Sequence, residues 1–251
     1  AGSPWTFNDT GQQTYTRPVN CSGFNAQDYA QGSASTTVNN IASAALQSGA
    51  QLSDNVNVAL TCYRPSVSKT ATPTHVITYT WDLTKTADAA SVALFAGDSQ
   101  VVNYTIDAVR SAGATGSWAV SGTVTVLNPH PREAIPAANL SDALSLSGPA
   151  TLDCNGATAA PPATGATPGS LTCTYAVDLA SGAAQTNTAT LLLYSRSYTG
   201  AAPFAFNPAQ AATVNDSLTV TDTIGAGWTF TNSGSQTYSR TLDCDAIFGQ
   251  I

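Results

Sequence analysis

At 251 residues with 43% apolar side chains, the chain is long enough for one large or two small hydrophobic cores, which excludes a disordered polymer. Only 9% of residues are charged, against about 25% in an average soluble protein, and the net charge is −7. The basic footprint of a nucleic-acid-binding protein is therefore absent, and no apolar run approaches the ~20 residues of a membrane helix. The first residues also lack the basic and apolar regions of a signal peptide, so an export signal would lie upstream or have been removed. Lysine occurs only at Lys69 and Lys85 and glutamate only at Glu133.

The chain opens with WTFNDTGQQTYTRPVNC at 5–21, which returns as WTFTNSGSQTYSRTLDC at 228–244. The copies share Trp, Thr, Phe, Gly, Gln, Thr, Tyr, Arg and Cys in register, at an offset of 223 residues from Trp5 to Trp228. That spacing is too long for a solenoid unit and suits two ordinary β domains. It predicts one period of a tandem array, entered partway through a domain and left partway through the next.

The segment VNNIASAALQSGA at 38–50 reads as a helical turn or as a strand followed by a turn. Beyond it the dominant period is two. THVITYTWDL, SQVVNYTIDAV, WAVSGTVTVLN, LTCTYAVDL, TNTATLLLYS, VNDSLTVTDT and SQTYSRTLDC are all rich in β-branched or aromatic residues and punctuated by Gly, Pro, Asn and Asp. Many short strands without βαβ alternation predict an all-β protein of immunoglobulin-like antiparallel sandwiches. Pro-containing junctions at 64–73 and 198–208 divide the chain into three parts. These are the carboxy-terminal half of one repeat domain at 1–65, a complete sandwich at 66–196, and the amino-terminal half of the next at 197–251.

The five cysteines lack zinc spacing. Cys154 and Cys173 bracket a Pro/Gly/Ala loop and are expected to pair, which leaves Cys21 for Cys62. Each closure would contribute roughly 3 to 4 kcal/mol on the chain-entropy model, and such bonds indicate an oxidising compartment. Cys244 is the repeat counterpart of Cys21 and is expected to lack an intrachain partner, as a cut repeat, a free thiol or an intermolecular bridge.

KTADAASVALFAGDSQVVNYTIDAV at 85–109 has a Lys-Thr strand, a Gly-Asp turn and a Val-x-Tyr-Thr-Ile strand in succession. PGSLTCTYAVDLASGAAQTNTATLLL at 168–193 and VNDSLTVTDTIGAGWTF at 214–230 follow with a Thr-Cys-Thr-Tyr strand, an Asn-Thr-Ala-Thr strand and a Val-Thr-Asp-Thr segment. These features resemble the conserved repeat domain of bacterial surface proteins called domain of unknown function 11. The resemblance implies an exported, tandemly repeated, Ig-like architecture in cell-surface or extracellular fibrous proteins, without catalytic residues or cofactors.

One piece of side-chain chemistry fits such sandwiches. A buried Lys on an early strand can condense with an Asn on the last strand when a protonated acid polarises the amide, provided that a low-dielectric core keeps the amine neutral. Lys85 and Asn187 are placed for this, with Asp107 or Asp142 as the acid. The competing reading makes Lys85 a solvated edge residue that discourages strand addition. Asn215, Asp216 and Asp222 carry oxygens suited to calcium, but no DxDxDG loop is present, and turn chemistry accounts for them. His75 and His130 stand outside any metal motif and are expected on the surface or in loops. Nucleophile-elbow, phosphate-loop and dinucleotide motifs are absent, so no enzyme is predicted.

The functional expectation is a building block of an extracellular filament or surface stalk, made of copies of itself joined head to tail by chain continuity or strand donation. Its joint would draw on Trp5, Phe7, Tyr15 and Val58 from one side and Val214, Leu218, Val220, Trp228 and Tyr238 from the other. The alternative is a cell-surface adhesin or carbohydrate-binding module that uses the loops at the sandwich ends.

Overall fold

A computed structural model describes residues 4–223 and 227–244, in which eighteen strands are linked by turns and three single-turn 3-10 helices. Strands β1 (Ser33–Ala45) and β2 (Gln51–Tyr63) form a hairpin. The middle of the chain supplies β3 (Ser66–Lys69), β4 (Thr72–Thr78), β5 (Trp81–Ala87), β6 (Ser99–Arg110) and β7 (Ala114–Asn128). Next come β8 (Ile135–Pro136), β9 (Leu140–Leu144), β10 (Gly148–Pro149), β11 (Ala159–Ala160), β12 (Gly169–Asp178), β13 (Gln185–Leu193) and β14 (Arg196–Phe204). The last strands are β15 (Ala212–Val214), β16 (Leu218–Val220), β17 (Trp228–Phe230) and β18 (Gly234–Asp243).

The central unit is two stacked sheets. One runs β12, β7, β4, β15, with β3 also lying along β7, and the other runs β10, β9, β13, β14. All pairings are antiparallel except that of β15 with β4. Alternation explains the stacking, because successive side chains of a strand point to opposite faces. On β13, Asn187, Ala189 and Leu191 are buried while Leu192 is exposed; on β12, Leu171, Cys173 and Tyr175 are buried. Val120, Val124, Tyr175 and Leu179 from one side meet Leu144, Ala189 and Phe204 from the other. A second cluster, with Val126, Leu171, Cys173 and Leu191, continues that core towards the disulfide loop.

The segment at 38–50 is strand rather than helix: β1 runs into a tight turn in which Gly49 takes a φ of 86° and its N–H donates to the Leu46 carbonyl. Both expected disulfides are present, Cys21 to Cys62 and Cys154 to Cys173, while Cys244 is half-buried and unbridged. Ala160 and Cys173 are fully buried, so the bridged loop covers one end of the core. His75 is also buried, stacked on Trp118 with ring centroids 4.9 Å apart and flanked by Phe206; the surface position expected for it is therefore corrected.

Pairing does not follow a contiguous 66–196 stretch. Strands β5 and β6 leave the central sheets and build a second unit with β18, in the order β18, β6, β5, covered by the β16–β17 ribbon. Its small core contains Ile106, Ala108, Val220 and Phe230, with Trp81, Leu218, Trp228 and Tyr238 packed against it. β14 extends the central unit to Phe204, past the expected boundary at 196. The pairing of Tyr104 with Tyr238 spans more than half the chain, and local alternation carries no signal for such a partner.

Replacing Leu191 with Ala should cost about 2 to 5 kcal/mol through the cavity left, whereas Ala at neighbouring Leu192, which faces solvent, should stay within about 0.5 kcal/mol. Denaturant midpoints of the two variants test the register of β13.

Candidate functional site: a lysine, an aspartate and an asparagine inside the sandwich

Lys69 ends β3, opposite Val124 of β7. Asp142 lies on β9 of the facing sheet, and Asn187 on the adjacent β13 is its diagonal neighbour, because Asn187 pairs with Leu144 and Ala189 with Asp142. The three side chains meet at one atom. Lys69 Nζ lies 2.8 Å from Asp142 Oδ2, and Asn187 Nδ2 donates to the same oxygen at 3.1 Å. The side chains of Lys69 and Asp142 are both 0% exposed, and Asn187 is fully buried.

Tyr175 closes the site. The Lys69 ammonium position lies 3.5 Å from its ring centroid, a cation–π geometry. The Tyr175 hydroxyl donates to the Thr70 carbonyl at 2.7 Å, beside the lysine. Gly122 opposite Tyr175 makes this approach feasible, since a Cβ there would lie 2.2 Å from the Thr70 oxygen. Burial pushes the Lys69 amine below its ordinary value, against the hydrogen bond and charge of Asp142, which pull it up. Burial likewise pushes the Tyr175 phenol up, opposed by a hydrogen bond with Asn187.

This cluster is costly as a mere ion pair. Desolvating two charges in an apolar core takes several kcal/mol per ion before their attraction repays it. In addition, Asp142 Oδ1 and Asn187 Oδ1 have no hydrogen-bond partner among the described residues, and a buried unsatisfied acceptor costs about 1 to 3 kcal/mol. Chemically, the arrangement holds an amine, a carboxamide and a shared proton carrier in one dry pocket. Moving one proton from Nζ to Asp142 would leave a neutral nucleophile beside an amide whose leaving nitrogen already contacts the carboxyl group. These are the parts required for amide exchange.

The other lysine has a similar setting in the second unit. Lys85 Nζ lies 2.7 Å from Asp222 Oδ2, and the Tyr238 hydroxyl donates to that oxygen at 2.7 Å. The Lys85 amine stands 5.6 Å from the Tyr238 ring centroid. Here the Asp222 side chain is 4% exposed but that of Lys85 is 41% exposed. Hydrogen bonds to Asp222 and then Tyr238 push the Lys85 amine up to about 12, the reverse of Lys69.

The structure therefore separates the sequence candidates. Asn187 and Asp142 come together, but around Lys69; Lys85 sits with Asp222, and Asp107, on the opposite face of β6 from Ile106, joins neither lysine. Lys69 and Tyr175 were missed, although a signal existed in the sequence. Ser-Lys-Thr-Ala at 68–71 matches Thr-Lys-Thr-Ala at 84–87, Leu-Ser-Asp at 140–142 matches Val-Thr-Asp at 220–222, and Thr-Tyr at 174–175 matches Thr-Tyr at 237–238. Asn215 and Asp216 bond separately, to Tyr79 and Thr213, and among the described residues no group of three or more His, Cys, Asp or Glu side chains could hold a metal ion. Of the expected joint residues, Trp5, Phe7, Tyr15, Val58 and Val214 are exposed, whereas Val220 is buried and Leu218, Trp228 and Tyr238 are half-buried in the second unit's own core. Comparison with protein-family models, with curated proteins and with solved structures finds no match to the chain.

Asp142→Ala should destabilise the central unit by about 3 to 5 kcal/mol, because it strands a buried lysine. Lys85→Met should leave that unit's unfolding midpoint unchanged. Equal losses in denaturant titrations of the two variants would contradict the assignment of the buried site to Lys69.

Proposed function

We propose that this chain is a structural building block of an extracellular filament or surface stalk, built of tandem Ig-like sandwiches that are completed between copies. One observation carries the reading: beside a complete sandwich stand two partial units, the β1–β2 hairpin, to which the strandless first copy of the repeated segment is tied by Cys21–Cys62, and the β5–β6–β16–β17–β18 unit, which contains the second copy as β17 and β18. In the central unit, the β13–β14 hairpin supplies half of one sheet. Among the described residues, the second unit has no strand in that position, and β1–β2 is a hairpin with no sheet to join.

The hairpin is built for a partner. Its pairing places Val38, Asn40, Ala42 and Ala44 with Val58, Val56, Asp54 and Leu52 on one face, which is apolar apart from Asn40 and Asp54. Val56 and Val58 are 56% and 50% exposed. The other face is more polar, with Ser35 bonded to Thr61 and Asn39 to Asn57, and carries Ile41, Ala45 and Ala59 among its Ser, Thr and Asn residues. A strand pair of this kind is marginal alone and gains its stability from the surface that covers it. The two disulfides suit the oxidising environment outside a cell.

Within each copy, the buried cluster locks the central sandwich. Lys69 Nζ attacks Asn187 Cγ, an amide bond forms, and the Cγ–Nδ2 bond breaks. One amine proton passes by way of Asp142 to the departing nitrogen, which leaves as ammonia. A bond between β3 and β13 ties the two sheets covalently, which suits a module held under tension.

The intact mass of the reduced, denatured monomer should fall short of the sequence mass by one ammonia, and Lys69→Ala should restore the full value; full mass in the unaltered monomer removes the crosslink from the reading. For assembly, Val56→Asp with Val58→Asp should abolish polymers seen by electron microscopy while the central unit keeps its stability. Asn57→Asp, on the polar face, should leave them intact.

A further inference from the structure

The geometry points to a second crosslinking site that is divided between two copies of the chain: Lys85 and Asp222 of one copy receive Asn40 from the β1–β2 hairpin of another. This rests on the reading of the hairpin as the missing half-sheet and adds the covalent chemistry of the joint.

The equivalence can be followed strand by strand. In the central unit Lys69 lies opposite Val124 on β7, and in the second unit Lys85 lies opposite Ile106 on β6. Two residues before these, Gly122 pairs with Tyr175 and Tyr104 pairs with Tyr238. Each lysine contacts an aspartate, at 2.8 and 2.7 Å, in the matching Leu-Ser-Asp and Val-Thr-Asp segments. Thus β5, β6, β16 and β18 correspond to β3, β7, β9 and β12. The counterpart of β13, the strand that brings Asn187, is what remains.

β1 has the features of that counterpart. Asn187-Thr-Ala-Thr on β13 matches Asn40-Ile-Ala-Ser on β1, and each strand leads through a short turn into its antiparallel partner, with Asn187 opposite Ala202 and Asn40 opposite Val56. Asn40 lies on the apolar face of the hairpin, as Asn187 lies on the inner face of its sheet. A further contact joins the two half-sites. The Asn40 amide donates to the hydroxyl of Tyr15, and Tyr15 is the repeat counterpart of Tyr238, whose hydroxyl bonds Asp222. One part of the site is seen on the first copy of this tyrosine and the other part on the second. In the joint, Tyr238 of one copy comes to the place that Tyr15 holds beside the other's Asn40, while Cys21 stays bonded to Cys62.

Backbone edges agree with this. β9 pairs with β13 in the complete sandwich, whereas β16 pairs only with β17 and β1 only with β2 among the described strands. Addition of β1 to β16 satisfies both open edges and covers Lys85. Covering also supplies the chemical condition: Lys85 is half in water and its amine is pushed up, whereas the enclosed Lys69 is pushed down. The hairpin thus brings the amide and dries the amine in one step. Lys85 Nζ then bonds to Asn40 Cγ, Asn40 Nδ2 leaves as ammonia, and Asp222 carries one amine proton to it.

The test uses full-length chains in reductant. Lys85→Ala retains Asn40 but no acceptor amine, and Asn40→Ala retains Lys85 but no amide, so each alone should remain monomeric on a denaturing gel. Their mixture should give a dimer that has lost one further ammonia, with peptides around Lys85 and Asn40 joined by an amide, and the unaltered protein should give a ladder. The ammonia lost at Lys69 in every sample serves as the folding control. Polymers visible by microscopy that dissolve entirely to monomers would overturn the crosslink while leaving hairpin docking in place. Absence of both polymers and dimers would overturn the docking and the crosslink together.

Discussion

A single carboxylate oxygen organises the central unit. Asp142 Oδ2 accepts from Lys69 on one sheet and from Asn187 on the other, on strands that also supply Val124, Leu144, Tyr175 and Ala189 to the core. Every neighbouring choice serves that meeting point: the strand β3 that lays Lys69 along β7, the glycine that admits Tyr175 beside Thr70, and the diagonal register of β9 on β13. A chain with only two lysines has enclosed one of them completely. Hydrophobic packing of equal volume would be as stable or more so, so specificity or chemistry is the more economical explanation of the cluster.

The two lysines form a natural comparison of solvent exposure. Each has an aspartate oxygen within hydrogen-bonding distance and a tyrosine ring nearby. Their amines nevertheless shift in opposite directions, because in the complete sandwich desolvation outweighs the partner and in the open unit the partner prevails. Enclosure of one amine and exposure of the other therefore accounts for the opposite shifts.

Much of the fold was legible because alternation is a local signal. The strands at 99–109, 118–128, 171–179 and 186–195 could be read directly, and the bracketed loop and the remaining pair of cysteines indicated both disulfides. What failed was non-local. Lys69 falls within a Pro-containing stretch with the composition of a domain junction, so the sequence singles out Lys85 as the lysine on an early strand. Val220 read as a joint residue because nothing nearby identifies Phe230 and Ile106 as its neighbours. The excursion of β5 and β6 out of the central sheets depends on pairing with β18, more than a hundred residues away. The matching Lys-Thr-Ala and Thr-Asp segments contained this information as an internal duplication, and it required comparison of the chain with itself rather than inspection of single strands.

The same excursion has a mechanical consequence. Because β5 and β6 are inserted between β4 and β7, the polypeptide passes between the central and second units three times, after Tyr79, after Arg110 and after Val214. The crossings are fastened to one another: the Tyr79 N–H donates to the Val214 carbonyl, the Trp81 indole to Asn215, and the Arg110 guanidinium lies over the Tyr79 ring while bonding the Asp216 and Thr231 carbonyls. Domains joined by one linker swivel like beads on a thread, whereas three crossings fastened to one another restrain both bending and twisting at the joint. If copies assemble as proposed, bending would therefore fall on the contacts between copies rather than on the joint between these two units.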